Sequence, residues 1–137
     1  MHWRATNVLG AENADLALTL GIDAFGVRLW RMRPGHASLS HRHREQQELY
    51  LLLEGEGRVR VDGELLILAS MTALVVDPAS VRQIFNDTDR DQVWLIAGAP
   101  VERLQISELP AADRDYLYPD GLESLPPELR REPPSTP

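Results

Sequence analysis

The sequence predicts an all-β protein, folded as a small antiparallel barrel or sandwich. Roughly eight to ten short apolar segments recur at regular spacing, with turn signals between them. Several of these segments alternate apolar and polar residues, as Arg58–Val61 does, which is the period of a strand with one buried face. No long helical pattern separates them. This combination is typical of barrels and of sandwiches, and the spacing alone does not choose between the two.

The N-terminal part of the chain is the least regular. Residues 1–11 have no clear period and predict an arm. Segment 15–22 has apolar residues at every second position, which predicts a half-buried strand: Leu16, Leu18, Leu20 and Ile22. Leu16 and Leu20 are also one helical turn apart, so a short helix that ends at Gly21 is the alternative.

The strands expected beyond this point are bounded by turn residues such as Pro34-Gly35 and Asp62-Gly63. In order they are Phe25–Arg33, Leu39–His43, Glu48–Leu53, Arg58–Val61, Leu65–Leu68, Thr72–Val76, Val81–Phe85, Gln92–Ala97 and a last edge strand Arg103–Ile106. Helical turns are expected at Asp113–Tyr118 and Pro126–Leu129, and Pro133–Pro137 is expected to be disordered.

Three potential metal ligands stand close together in one stretch. His41 and His43 are two residues apart, so on an extended strand both imidazoles leave the same face. Glu48 opens the next apolar segment. Two imidazoles on one strand and a carboxylate on its neighbour can converge on a single point, which is the arrangement of a 2-His-1-carboxylate metal site with open coordination positions.

The spacing of these residues resembles the first motif of the cupins. Gly35, His41, His43, Glu48 and Gly55 stand at the intervals of that motif, with five, one, four and six residues between them. The resemblance implies a cupin double-stranded β-helix, a jelly-roll-like antiparallel barrel, with short N- and C-terminal extensions. It also implies that the motif forms two adjacent strands whose ligands point into the barrel.

The second cupin motif is only partly present. It usually has a glycine, a proline, another glycine, a histidine that supplies the fourth ligand, and an asparagine. Pro78 is in place, but Ser80 replaces the second glycine and Ser70 or Thr72 the first. The histidine position, counted from Pro78, falls on Gln83, and Asn86 lies one residue early. The expected metal ligands are therefore His41, His43, Glu48 and, more weakly, Gln83, around a divalent iron, manganese, zinc or nickel ion.

Several other polar residues have both a functional and a purely structural interpretation. Gln46 or Gln47 could orient a ligand, although a polar turn between two strands explains them equally well. Arg82 could bind an acidic ligand, and so could two arginines that alternation places toward solvent: Arg58 and Arg60. Two histidines are left out of the site as surface residues: His2 and His36.

Length and composition limit the possible functions. A chain of 137 residues fits one domain, expected as an arm at 1–23, a barrel at 24–109 and an extension at 110–137. A net charge of −7 argues against nucleic acid or an anionic membrane as partner. All 14 basic residues are arginine, so Schiff-base chemistry through lysine is excluded, and the absence of cysteine excludes thiolate ligands. No apolar run is long enough for a membrane span, and a cytoplasmic protein is expected.

Three functional hypotheses follow. The first is a metal-binding cupin that holds a small organic ligand inside its barrel. The second is a metal-dependent dioxygenase or isomerase, and the third is a non-catalytic ligand-sensing module. Whether the protein is an enzyme stays open, because one fold hosts many chemistries. The resemblance also implies a homodimer, because single-domain cupins commonly associate through their sheet faces, and the apolar residues on both faces of the Phe25–Met32 segment fit this.

Overall fold

The computed structural model describes residues 2–102 and 106–130. Two antiparallel sheets contain its strands, which in chain order are β1 (Asn13–Asp15), β2 (Gly26–Met32), β3 (Gln47–Glu54), β4 (Gly57–Val61), β5 (Glu64–Leu68), β6 (Ala73–Val76), β7 (Arg82–Phe85) and β8 (Gln92–Ala99). One sheet has the order β1-β2-β8-β3-β6, and the other has the order β5-β4-β7. The predicted all-β class is confirmed.

The hydrophobic core lies between the two sheets, because alternate residues of each strand face inward. Register in the larger sheet places Trp30, Trp94 and Leu52 side by side on its inner face. Val59 and Ile84 are paired in the smaller sheet and are buried against them. The Tyr50 and Trp94 rings pack edge to face, with centroids 6.2 Å apart. Glu48 lies on the same inner face of β3, two residues before Tyr50, at one end of this core.

Residues 16–22 do not form the predicted strand. Leu16–Leu20 is a short helix, α1, and only Asn13–Asp15 pairs with β2 as an edge strand. Asp15 caps the helix by accepting a hydrogen bond from the Leu18 backbone at 3.0 Å, and Gly21 ends it with φ of +70°. The regular spacing of leucines was misleading because the local caps favour a helical turn.

The predicted strand Leu39–His43 is also wrong. His41 forms a single bridge with Arg82 of β7, through His41 N–H to Arg82 O at 3.0 Å and Arg82 N–H to His41 O at 2.8 Å. Ala37 forms another isolated bridge with Phe85. The segment runs along β7 without a continuous ladder. It nevertheless keeps both histidines beside β3.

The described part of the C-terminal segment packs against this histidine-bearing loop. Helix α2 (Ala111–Leu117) and a 3-10 turn (Pro127–Leu129) match the two expected helical turns. Arg42 donates its backbone N–H to Leu117 O at 2.8 Å and its Nε to Tyr116 O at 2.6 Å. The Arg42 guanidinium also lies 3.9 Å from the centroid of the Tyr116 ring. These contacts hold the loop from outside.

Two expectations fall partly or wholly outside the described residues. One is the expected edge strand Arg103–Ile106, of which only the last residue is described, at the start of a 3-10 turn, Ile106–Glu108. The other is the tail Pro133–Pro137, which was expected to be disordered and lies wholly outside the described residues. The division at residues 23 and 109 stays a prediction. Among the described residues, no helix combines the length and apolar character that crossing a membrane requires.

The packing around Gly57 predicts a stability effect. A Cβ at this position would lie 2.9 Å from Trp94 Cη2 and 3.1 Å from Leu52 Cδ2, both in the core. Gly57→Ala is therefore expected to lower the free energy of unfolding by about 1–3 kcal/mol through overpacking. Urea denaturation measures the change. Gly26→Ala is the matched control, since its nearest contact is Gly98 O at 3.8 Å, and equal effects of the two substitutions would contradict the packing described.

Candidate metal centre

His41, His43 and Glu48 come together at one end of the barrel interior. Each offers one potential ligand atom, and these atoms all lie within 4.8 Å of one another. Glu48 is buried on the inner face of β3, with 7% of its surface exposed, while both histidines are half-buried. His41 is positioned by its bridge to Arg82, and His43 by its backbone N–H, which donates to Pro78 O at 2.8 Å. Tertiary contacts therefore replace the ladder that the sequence suggested.

The two imidazoles turn the same nitrogen toward the same carboxylate oxygen. His41 Nε2 lies 3.4 Å from Glu48 Oε1, and His43 Nε2 lies 3.2 Å from it. The rings are perpendicular, with centroids 5.1 Å apart and an interplanar angle of 89°. Two nitrogens and one oxygen thus lie close enough together to hold one cation.

The hydrogen bonds of the other ring nitrogens fix which tautomer each histidine adopts. His41 Nδ1 lies 2.9 Å from Leu39 O, and a carbonyl can only accept, so Nδ1 carries the proton. His43 Nδ1 lies 3.2 Å from Glu102 Oε2, and the same reasoning holds for an ionised carboxylate. When both imidazoles are neutral, each Nε2 atom therefore has no proton and can only accept. Both atoms lie against Glu48 Oε1, which is also an acceptor. A proton or a metal ion is needed between them.

Glu102 supports the site from behind His43. Its Oε1 accepts the backbone N–H groups of Glu45 and Gln46, the latter at 2.9 Å, and its Oε2 accepts that of Arg44 at 3.3 Å. Burial opposes ionisation of Glu102, but these backbone donors outweigh it and hold its pKa below the usual range. A carboxylate behind a histidine is the usual means of orienting a metal ligand. Sequence reasoning missed Glu102, because no local pattern links it to a loop more than fifty residues earlier.

Gln46 connects Glu102 to Glu48. These contacts favour a role in orienting a ligand over the alternative of a polar turn between two strands. Its Nε2 donates to Glu48 Oε2 at 3.3 Å, and its Oε1 accepts the Glu102 backbone N–H at 3.0 Å. The side chain lies directly over Gly98, where a Cβ would be 2.7 Å from Gln46 Nε2. Gln47 points away and donates to Asp77, as expected for the outer face.

Glu48 stays ionised despite its burial. Desolvation favours the neutral acid, but His41 and His43, when they carry a proton on Nε2, give Glu48 hydrogen bonds and positive charge that hold its pKa well below its usual range. Tyr50 donates its hydroxyl to Glu48 Oε1 at 2.9 Å. Burial and the Glu48 charge raise the pKa of Tyr50 well above its usual value, so the phenol remains a donor.

Gln83 does not join the cluster, which corrects the four-ligand expectation. Its Nε2 donates to Ser38 O at 2.8 Å and to Ser124 O at 2.9 Å, on the outer face of β7. Register explains the difference: Ile84, the neighbour of Gln83, pairs with Val59 and faces the core, so alternation turns Gln83 outward.

The inward residue at this end of β7 is Arg82. It is fully buried, and its Nη1 lies 3.7 Å from Glu48 Oε1. Its Nη2 donates to Asp77 O at 2.7 Å and to Val76 O at 3.5 Å. Within the described residues, its Nη1 and Nε have no hydrogen-bond partner. The two arginines expected to face solvent do lie on the outer face of β4, where they form ion pairs with acidic residues: Arg58 with Asp87, and Arg60 with Glu128.

A cavity of about 230 Å³ adjoins the cluster inside the barrel. His41 and Glu48 form part of its wall, and apolar side chains form another part: Trp30, Tyr50, Ile84 and Ile96. Arg28 and Asp15 also line it and form an ion pair at 3.4 Å. The volume is below the roughly 300–1,000 Å³ of pockets for drug-sized ligands, so it suits a small metabolite.

Comparison with solved structures shows the same fold. A cupin protein from Bacteroides fragilis superposes with a TM-score of 0.65 at 19% sequence identity, covering 81% of this chain and 98% of the other. A cupin-superfamily sugar phosphate isomerase from Silicibacter pomeroyi has a TM-score of 0.60 and 27% identity, covering 65% of this chain and 59% of that one.

A third structure is more distant. A variant of salicylate 1,2-dioxygenase from Pseudoaminobacter salicylatoxidans has a TM-score of 0.51 and 21% identity, covering 56% of this chain and 22% of that enzyme. No match was found among curated protein sequences. The cupin domain family matches residues 28–98, which is just over half of the chain and includes all three clustered residues. The chain therefore belongs to the cupin family, with a double-stranded β-helix fold.

Proposed function

We propose that this protein binds one divalent transition metal ion through His41 Nε2, His43 Nε2 and Glu48 Oε1, and holds a small organic ligand in the adjoining cavity. The observation that carries the proposal is the convergence of three acceptor atoms within 4.8 Å. Because each Nδ1 has an acceptor as its partner, neither Nε2 needs to hold a proton, and both have a lone pair available for a cation.

A metal-free arrangement would need charged imidazoles in the same place. A proton on Nε2 in addition to Nδ1 makes an imidazolium, and two such cations would stand 5.1 Å apart in a partly buried site. One metal ion satisfies all three acceptors at once, so metal binding is the simpler account of the geometry.

The donor set limits the choice of metal. Imidazole nitrogen suits zinc, iron and nickel, and carboxylate oxygen also suits manganese. With Gln83 turned away, three protein ligands remain and the other coordination positions are open, which is the 2-His-1-carboxylate arrangement. Iron, manganese, zinc and nickel remain the candidates. When bound, such an ion would polarise an oxygen of the ligand as a Lewis acid.

Isomerase activity and dioxygenase activity are the alternative functions. The sugar phosphate isomerase relative shares 27% identity, whereas the dioxygenase relative at 21% supports the fold alone. This chain spans only 59% of that isomerase, so the likeness extends to part of it. Aldose–ketose interconversion, and oxygen uptake with diols, catechols and keto acids, would separate these enzymes from a ligand-sensing module.

The metal site is tested by elemental analysis of protein purified without a chelator. We expect close to one transition metal ion per chain in the wild type and loss of most of it in His41→Ala, because two ligands cannot hold the ion against dilution. His36→Ala is the matched control, since His36 is exposed and outside the cluster. Metal-free wild-type protein that also fails to bind added Zn²⁺, Mn²⁺, Fe²⁺ or Ni²⁺ would refute the proposal.

Glu102→Gln tests the support behind His43. An amide has one acceptor oxygen in place of two, so it cannot serve both His43 Nδ1–H and the three backbone N–H groups. We expect metal affinity to fall roughly 10–100-fold, the usual cost of losing the partner of a metal-bound histidine. Competition with a fluorescent chelator measures the affinity. Glu45→Gln is the control on the exposed side of the loop, and an equal loss there would contradict the role of Glu102.

We also propose that two chains associate through the outer face of the larger sheet. Its apolar residues include Leu49, 42% exposed, and Val75, 56% exposed, and they are paired in register. Val75→Arg is expected to convert a dimer into a monomer, because a charge would be buried in the interface. Ile67→Arg, at a site 59% exposed on the smaller sheet, is the control. Light scattering that gives a monomer mass for the wild type at micromolar concentration would reject the dimer.

A further inference from the structure

The charge at the metal centre is set by a residue that is not a ligand. The charged groups that belong to the three ligands or touch them are the Glu48 carboxylate, the Glu102 carboxylate beside His43, and the Arg82 guanidinium beside Glu48. With neutral imidazoles and a divalent ion, the two carboxylates alone would make the centre neutral. Arg82 adds one positive charge.

That positive charge is fixed in place and shielded from water. Arg82 is completely buried, and its Nη2 is anchored by Asp77 O and Val76 O at the end of β6. In the described part of the chain, its Nη1 and Nε have no hydrogen-bond acceptor within reach, and Glu48 Oε1 at 3.7 Å is beyond hydrogen-bond length. Buried guanidinium N–H groups without acceptors are costly and rare, so the charge of Arg82 is held inside the barrel at a cost in stability.

The other charges around the cavity cancel. Arg28 lies on the inner face of β2, but Asp15 pairs with it at 3.4 Å. Arg44 at the loop surface pairs with Asp113 at 2.7 Å. Charges at the rim are also screened by water and salt, whereas a buried charge is not. With a divalent ion bound, the one excess positive charge of the centre is therefore that of Arg82, which stands behind Glu48 and outside the wall of the cavity.

We propose that the ligand of this site is a small monoanion, a carboxylate with an apolar body, and that Arg82 is the positioning residue that creates the requirement for it. The inference rests on the proposed metal site. A buried charge is tolerated only when it is paired, so a centre with one excess positive charge favours a ligand with one negative charge. The apolar wall formed by Trp30, Ile84 and Ile96 suits the rest of the molecule.

A carboxylate satisfies this requirement better than a phosphate monoester. A phosphate monoester carries about −1.5 to −2 at pH 7, which would leave excess negative charge in a cavity of about 230 Å³. The cost of removing an ion from water also rises steeply with its charge. A carboxylate carries a single charge at neutral pH and can use the open coordination positions of the metal.

The experiment uses the full chain loaded with Co²⁺, whose visible absorption reports a change of ligands at the metal. Co²⁺ content and affinity are measured first, and isobutyrate is then titrated. The neutral isostere isobutyramide and the phosphate monoester glycerol 3-phosphate are titrated in parallel. We expect isobutyrate to change the spectrum and to bind at least tenfold more tightly than either of the other two probes.

Variants at Arg82 separate its charge from its packing. Arg82→Met should keep stoichiometric Co²⁺ and weaken isobutyrate binding at least tenfold, while Arg82→Lys should restore most of that binding because it retains the charge. Arg58→Met removes an arginine from the outer face of the neighbouring strand β4 and should leave isobutyrate binding unchanged. If Arg82→Met does not fold, Arg82→Gln, which is polar but also uncharged, replaces it with the same expected loss of isobutyrate binding, and unchanged binding in the uncharged variant would overturn the role of the charge.

The outcomes distinguish the two proposals. Wild-type protein that takes up no metal would overturn the proposed function, and this inference with it. Stoichiometric Co²⁺ with equal affinity for isobutyrate and isobutyramide would overturn the inference alone. Tighter binding of glycerol 3-phosphate than of isobutyrate would overturn the assignment to a monocarboxylate.

Discussion

The structure depends on keeping one carboxylate ionised inside a barrel. Glu48 is 7% exposed, and isolation from water alone would favour its neutral form. Four groups surround its Oε1: the Nε2 atoms of two histidines, the Tyr50 hydroxyl and the Arg82 guanidinium. Burial opposes ionisation, but the two histidines hold its pKa low, and the four groups come from the histidine-bearing loop, β3 and β7. The site therefore forms only when the strands and the histidine-bearing loop are all correctly placed.

The residues that hold the ligand-bearing loop in place form two successive sets of contacts, one inside the barrel and one outside it. Glu102 gathers three backbone N–H groups of the loop that carries His43, and Gln46 joins Glu102 to Glu48 across Gly98. The described C-terminal segment then holds the same loop from outside through Arg42, which contacts both Leu117 and Tyr116. Because the loop has no continuous ladder of hydrogen bonds to a strand, these contacts fix its position, as strand pairing does elsewhere in the barrel. They explain how an irregular segment can present two imidazoles in a defined geometry.

The smaller sheet is where this chain departs from the ligand pattern of the family. The inward position beside Glu48 is occupied by a guanidinium, and the amide of Gln83 is on the opposite face of β7. A guanidinium cannot bind a cation and instead adds positive charge. If a metal binds at the three clustered residues as proposed, its open coordination positions and the adjacent buried cation would both favour an anionic ligand over a fourth protein donor.

The sequence by itself determined the all-β class, most strand positions and the three residues of the candidate metal cluster, because these follow from short-range periodicity and from a motif of five residues within one stretch. Tertiary structure decided the rest. The helix Leu16–Leu20 replaced a predicted strand because a cap at each end outweighed an alternating pattern. Which of Arg82 and Gln83 faces the interior depended on a register of one residue, and the partnership of Glu102 with His43 depended on the fold bringing distant residues together. Neither can be read from local sequence, because a shift of one residue reverses every side chain of a strand and contacts over long separations leave no local pattern.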